Sequence, residues 1–221
     1  MSDMTALERL LADRWSCRGY LPDEVPRETI ERLLTVAGRT PSWCNTQPWE
    51  VTVLSGEATS SLVKAMAEDA EHWTPDIPFP PGYEGVYADR RRESGWQLYE
   101  AVGVAKGDRD ASAAQMLRNF EFFGAPHAAI VTTTASLGPY GAVDCGLFID
   151  SFLLGAQALG LGACAQAAIA MRAGVVREHL GLAEDRQVVA GIAFGVPDPE
   201  HPTNTYRTNR VPLAEFVTFR D

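Results

Sequence analysis

Apolar residues recur at helical spacing at the start of the chain. Leu7, Leu10 and Leu11 predict an amphipathic helix over residues 3–13. Ile30, Leu33, Leu34 and Ala37 predict a second over 26–38, where Pro26 takes a favourable first-turn position. The period disappears through Thr40-Pro41-Ser42-Trp43-Cys44-Asn45-Thr46-Gln47-Pro48, which reads as a loop. Trp49-Glu50-Val51-Thr52-Val53-Leu54 alternates as a strand does. Residues 57–71 return to helical spacing, with Leu62, Val63, Met66 and Ala70 on one face.

Residues 73–93 break the pattern. Pro75, Pro78, Pro80 and Pro81 fall among aromatic residues, and Arg90, Arg91 and Arg92 follow. Proline removes backbone donors and blocks helix interiors, so neither a regular helix nor a central strand is expected there. Trp73, Phe79, Tyr83 and Tyr87 have burial to gain, which favours a lid over residues 73–99 against an inert surface insertion. Helices are expected at 94–103 and, capped by Asp108, at 109–123. A strand at 128–132 precedes the most apolar helix, 141–159, which should lie in the core or at a subunit interface. Gly160-Leu161-Gly162 ends that helix and a short segment, 164–168, follows. A helix at 172–180, a buried strand at 188–194 and an extended C-terminal segment, 197–221, complete the α+β pattern.

Composition narrows the class. With 221 residues, 46% of them hydrophobic, one domain spanning 1–221 is expected. No apolar run approaches about 18 residues without a charge, so no membrane span is expected. Asp3, Glu8 and Asp13 mark the N-terminal helix where a leader would be basic, which predicts a cytoplasmic protein. A net charge of −10 argues against nucleic acid as the partner. The four cysteines and four histidines are scattered, so neither disulfides nor a metal site is expected. Only Lys64 and Lys106 among 19 basic residues are lysine, and arginine suits the bidentate capture of phosphate or carboxylate.

Two stretches could carry chemistry. If Arg14-Trp15-Ser16-Cys17-Arg18 is extended, residues 14, 16 and 18 present two guanidinia and a hydroxyl on one side, a phosphate receptor or simply a solvated face. The loop from Pro41 to Trp49 is fixed by two prolines and carries Ser42, Asn45 and Gln47, which both donate and accept. It suits the edge of a heterocycle, or equally a strand entry packed by two tryptophans. Gly160-x-Gly162-x-x-Ala165 mimics a dinucleotide-binding turn, but a helix precedes it where a strand is required. Cys44 or Cys164 with His127 lacks an acid to orient a thiol pair.

Taken together, Arg14-x-Ser16-x-Arg18 and then Pro41-Ser42-x-x-Asn45-x-Gln47-Pro48-Trp49 resemble the FMN-dependent nitroreductase superfamily. Gly160 to Ala168, Val176 to Leu182, Gly195-x-Pro197-Asp198 and Arg207-Thr208-x-Arg210-x-Pro212-Leu213 fit the same pattern, extending the resemblance from about residue 8 to the end. The wording of the 41–49 loop is most similar to the nitrobenzoate-reductase branch.

The resemblance implies a central, mostly antiparallel sheet flanked by helices in an intertwined homodimer, with FMN at the subunit interface. It implies that NADPH or NADH reduces the flavin, which then reduces a small nitroaromatic or quinone-like acceptor. Arg14, Trp15, Ser16 and Arg18 would hold the phosphate and the N1/O2 side of the ring. Pro41, Ser42 and Trp43 would come from the other subunit, with Asn45 supporting them. Gln166, Ala167 and Ala168 would run beside the ring, and Arg207 and Arg210 would close the phosphate site. Thr208 stands where many relatives have lysine. No protein nucleophile is required. Candidate acceptor contacts are Trp43, Tyr87, Arg90, Arg91, Trp96 and Tyr99. A reductive dehalogenase of the same fold and a non-catalytic flavin-binding module are the alternatives. The dehalogenase pattern includes a lysine that residues 73–99 lack.

Overall fold

A computed structural model describes residues 2–69 and 72–220. Two helices come first, α1 (Asp3–Asp13) and α2 (Arg27–Ala37), both where the apolar spacing predicts them. Ser2 caps α1 through its side chain, accepting from the Thr5 N–H at 3.2 Å. Strand β1 (Glu50–Ser55) leads into α3 (Glu57–Glu68). Ala70 and Glu71, at the end of the predicted helix 57–71, lie outside the described residues.

Helices α4 (Gly85–Ala101) and α5 (Arg109–Leu117) follow, then β2 (His127–Thr134), α6 (Gly138–Ala158) and β3 (Gly162–Gln166). Helix α7 (Ala173–Leu180) and β4 (Arg186–Gly195) complete the regular elements, and the tail runs on through two short 3-10 turns. The strands form one sheet in the order β1-β2-β4-β3, with every pair antiparallel. Residues 164–168, given no type from the sequence, are split between β3 and the 3-10 turn after it.

The period-two rule explains how one sheet serves two cores. Ala128 and Ile130 of β2, with Val188 and Ala193 of β4, face Leu62, Met66, Phe120, Phe122 and Val176. Ala129 and Val131, with Ile192 and Phe194, face Leu33, Phe148 and Phe152 on α2 and α6. A strand covered on both sides reads as a continuous apolar run, which is why residues 127–133 are all buried.

Helix α6 ends in a Schellman arrangement. Gly160, at φ +73, follows the helix, while the N–H of Leu161 donates to the Ala156 carbonyl at 2.9 Å and that of Gly160 to Gln157 at 3.1 Å. Gly162 is required by crowding, because a Cβ there would lie 2.5 Å from the Cys17 Sγ and 2.8 Å from its Cβ. Both glycines of the dinucleotide-like turn thus have structural roles, between a helix and a strand.

Between residues 73 and 123 the chain departs from what its apolar pattern predicts. Helix α4 begins nine residues before the expected 94, and so includes 85–93, where no regular helix was expected. The last proline of the run is Pro81, so nothing forbids a helix from Gly85 onward. Helical periodicity was invisible over 85–93 because that half of α4 is almost wholly exposed and has no apolar stripe. The helix expected at 109–123 stops at Leu117 and tightens into a 3-10 segment to Gly124, with Phe122 and Phe123 at φ +48 and +56. Burial of both rings, Phe122 completely, holds that strained backbone.

The start of the 73–99 segment is tied down. Asp76 pairs with Arg177 at 2.5 Å and accepts the Val188 N–H at 2.8 Å, while Thr74 Oγ1 accepts the Gly174 N–H at 3.0 Å. Phe79 packs on the core beyond them.

By length and composition, the helical stretch Ala135–Ala158 could cross a membrane, at a mean hydropathy of 1.2. Its apolar character already has a structural use. Cys145, Phe148, Phe152 and Ala156 pack on the sheet, while Tyr140, Val143 and Leu147 stay exposed.

His127 is buried, accepts the Val25 N–H at Nε2 (2.8 Å) and lies 2.7 Å from Ser55 Oγ through Nδ1. Occupation of Nε2 as acceptor assigns the proton to Nδ1, which donates to Ser55. Burial lowers its pKa below 6.5, with Glu24 opposing weakly. The unfolded chain therefore binds this proton first as pH falls. Stability is fully present above about pH 6.5 and falls by up to about 1.4 kcal/mol per pH unit below it, down to the folded pKa. Urea unfolding at pH 7.5 and 5.5 should show a pH loss about 1 kcal/mol larger in the parent than in His127→Gln. Equal losses would show that His127 is not the proton-linked group.

Candidate functional site

After α1 the chain turns extended at Arg14 (φ −67, ψ 132) and lies along the sheet edge. Ser16 forms a parallel bridge to Ala163 of β3, and the Cys17 N–H donates to the Ala163 carbonyl at 3.1 Å. Further on, Leu21 N–H donates to the Val196 carbonyl at 2.9 Å. Cys17 points into the core and is fully buried, so the alternation sends Ser16 and Arg18 the other way.

The C-terminal segment closes over this strip through one side chain. Asn204 Oδ1 accepts from Arg18 N–H (3.1 Å) and Trp15 Nε1 (3.3 Å). Its Nδ2 donates to the carbonyls of Gly19 and Asp198, both at 2.8 Å. The Arg18 guanidinium donates to Tyr206 Oη at 3.2 Å, and the Arg207 guanidinium lies 4.4 Å over the Trp15 ring. Arg210 donates to Thr208 Oγ1 at 2.9 Å, so the residue standing in the lysine position orients an arginine.

Between these segments lies a cavity of about 270 Å3. Arg14, Trp15, Ser16, Arg18, Arg207 and Arg210 all line it, with Ser94 of α4 and Tyr206. It holds four guanidinia, and no lining residue is a carboxylate. In a chain of net charge −10, that is a local reversal of sign suited to an anion. A wider hollow of about 910 Å3 adjoins it, sharing Arg18, Ser94 and Tyr206 and adding Arg91, Trp96, Tyr99 and Asn119. On β3, Ala165 and the following Ala167 are exposed, continuing the line of Ala163 against which Ser16 is paired. Gln166 between them is buried and donates to the Asn119 carbonyl at 2.7 Å. Ala168 is half-buried.

Other candidate residues lie apart. Pro41, Ser42, Trp43 and Asn45 line neither cavity. Their loop is strained, with Cys44, Asn45 and Gln47 at φ +49, +56 and +47. It is held because Asp144, 5% exposed on α6, accepts the Trp43 N–H at 3.1 Å. Ser42 Oγ likewise accepts the Gln47 N–H at 2.9 Å. Trp43 is 63% exposed, its ring 5.2 Å from Tyr140. Tyr87 borders a separate hollow with Pro81 and Val86. Arg90 faces the tail, 3.0 Å from Glu215.

Asn204, Tyr206 and Ser94 were missed from sequence. An asparagine among prolines reads as a turn residue, and a serine on a polar helix carries no signal of its own. The thiol alternative has no geometry to support it. Burial pushes the Cys17 and Cys145 thiols up to about 11 and raises Cys164, while both nitrogens of His127 are engaged by Val25 and Ser55.

Comparison with known proteins agrees with this architecture. The Nitroreductase family pattern matches residues 11–196. The chain is 34% identical over 221 residues to a 4-nitrobenzoate reductase of Nocardioides sp., covering 97% of this chain and 90% of that protein. It is 34% identical over 218 residues to a nitrobenzene nitroreductase of Ectopseudomonas oleovorans, covering 96% of each. The crystal structure of the FMN-dependent nitroreductase NfnB from Mycobacterium smegmatis in complex with NADPH superposes with a TM-score of 0.94, at 35% identity and over 100% of both chains. This chain belongs to the nitroreductase family.

Proposed function

We propose that this protein is an FMN-dependent oxidoreductase that uses NADPH or NADH to reduce nitroaromatic or quinone-like acceptors. The carrying observation is the set of four guanidinia around one cavity, drawn from both ends of the chain and free of carboxylates in its lining. That donor set fits a phosphate monoester, since arginine forks bind phosphate oxygens through charge-assisted hydrogen bonds. The exposed alanine strip beside it fits a planar ring, because small side chains let a flat group lie against a strand. The FMN dependence of NfnB and its complex with NADPH support the same reading.

In this reading Arg14, Ser16, Arg18, Arg207 and Arg210 hold the phosphate, with Trp15 bracing Arg207. Gln166, Ala167 and Ala168 line the ring, and the arginines provide a positive field on the side where negative charge develops on reduction. FMN supplies the hydride-accepting and hydride-donating chemistry that no side chain has. Donor and acceptor use the same open hollow in turn, which implies ping-pong kinetics.

The homodimer belongs to this proposal. Tyr140, Val143 and Leu147 of α6, Met4, Leu7 and Leu11 of α1, and Phe216 and Phe219 of the tail are exposed apolar side chains that a second copy would cover. The strained loop 41–47 then delivers Pro41, Ser42 and Trp43 to the other subunit's flavin. The whole chain acts as one catalytic domain, with the 73–99 segment, pinned at its start, as its cover. Four free cysteines suit a reducing, cytoplasmic setting. The dehalogenase and non-catalytic readings have less support from the named relatives.

The purified protein is expected to be yellow and to release FMN on heating, read by chromatography. Failure to bind FMN on reconstitution would overturn the proposal. Arg18→Ala or Arg210→Ala should weaken FMN binding about ten- to a hundredfold, on the order of 1.5–3 kcal/mol for a charge-assisted contact. Asn204→Ala leaves two buried carbonyls without their donors, and should lower stability by about 1–3 kcal/mol and weaken FMN binding as well. Isothermal titration and urea unfolding measure the pair. Analytical ultracentrifugation should give a stable dimer, and a flavin-loaded monomer would contradict the shared site.

A further inference from the structure

We propose that Arg91 selects a negatively charged aromatic acceptor, an aryl carboxylate, over a neutral one. This rests on the nitroaromatic-reductase reading and adds the charge class of its substrate. Three consecutive arginines stand on α4, and the structure gives them different work. Arg90 turns to the tail and pairs with Glu215 at 3.0 Å. Arg92 lines the wide hollow but is bonded to Asp89 at 3.1 Å. Arg91 lines the same hollow with no carboxylate partner among the described residues, its guanidinium 5.5 Å from the centre of the Tyr83 ring.

The surroundings of Arg91 define the ligand. The hollow of about 910 Å3 has no aspartate or glutamate in its lining, so nothing there competes for the guanidinium. Tyr83, Trp96, Tyr99 and Tyr206 give it aromatic walls, with Trp96 and Tyr99 edge to face at 5.7 Å. Lys106 lies 6.0 Å from the Trp96 ring and adds positive potential. A guanidinium held beside an aromatic ring keeps its fork for the two oxygens of one carboxylate, while the aromatic walls match a planar arene. Phosphate, by contrast, has its own receptor next door with four guanidinia. Arg18 lines both cavities but belongs to the phosphate receptor, so Arg91 is assigned to the carboxylate of the acceptor, and the nucleotide's phosphates are the competing possibility.

The distinction is a live one, since relatives of equal identity are named for an anionic and a neutral acceptor, 4-nitrobenzoate and nitrobenzene. The test compares the FMN-loaded parent with Arg91→Gln and Arg91→Lys. Steady-state rates are read with 4-nitrobenzoate and with nitrobenzene, and benzoate binding to the oxidised protein is read by perturbation of the flavin absorption band. The parent should prefer 4-nitrobenzoate. In Arg91→Gln the ratio of kcat/KM for 4-nitrobenzoate over nitrobenzene should fall at least tenfold through KM, and benzoate affinity should fall similarly. Arg91→Lys should recover part of both losses, and the KM for NADPH should stay within twofold.

A parent that prefers nitrobenzene, or an unchanged ratio with unchanged benzoate binding, would overturn the proposal. A rise in the KM for NADPH in proportion to that for 4-nitrobenzoate would assign Arg91 to the nucleotide instead. Absence of turnover with both acceptors would count against the reductase reading itself, while benzoate binding would still decide the role of Arg91.

Discussion

The arginine cavity exists because the Asn204 amide holds together two segments as much as 189 residues apart in sequence. Its oxygen takes two N–H donors from the strip 15–18 and its nitrogen serves two carbonyls, so one side chain satisfies four groups. Leaving such groups buried and unpaired costs more than any one of the bonds contributes, which makes the closure cooperative. The clamp works only because the strip already lies against β3. That approach depends in turn on Gly162, where a Cβ would collide with Cys17. Two small choices, an absent methyl and a single amide, bring Arg14, Arg18, Arg207 and Arg210 around the same space.

Like charges gathered in this way repel one another, and the molecule disperses the cost. Arg207 stacks on Trp15, Arg18 leans toward Tyr206 and Phe123, and Arg210 is held by Thr208 and its neighbouring carbonyls. None of these partners is anionic, so the positive field stays available to a ligand. These three arginines are oriented before an anion arrives, which reduces the ordering entropy that binding must overcome.

Rigidity and openness are divided along the chain. The two cores fix β2 and β4, the first residues of the 73–99 segment are pinned by Asp76 and Thr74, and Asp144 holds a loop with three left-handed residues. Helix α4 has no buried residue, and among its ties to the tail are Arg90 to Glu215 and Asn209 to Glu93 at 2.7 Å. Elements with few buried contacts sit at the low end of local stability, which suits the role of cover proposed for this helix.

The sequence by itself determined much of this protein. Periodicity placed α2, β1, β2, α6, α7 and β4 within a few residues, because each buries one face or both and burial imposes a period, and it placed α1 by an apolar stripe that this chain leaves mostly exposed. Alternation and side-chain chemistry singled out Arg14, Ser16 and Arg18, and the family resemblance added Arg207 and Arg210, all of which line one cavity. Only the second half of α4 was legible, since residues 85–93 carry three arginines, two acids and no apolar stripe. Tertiary structure alone separated Arg90, Arg91 and Arg92, because neighbours in sequence on a helix point about 100° apart and so meet different partners. It alone, too, gave Asn204 its importance. A hydrogen-bonding side chain has the same chemistry everywhere, and only the fold decides which four groups would otherwise be buried without a partner.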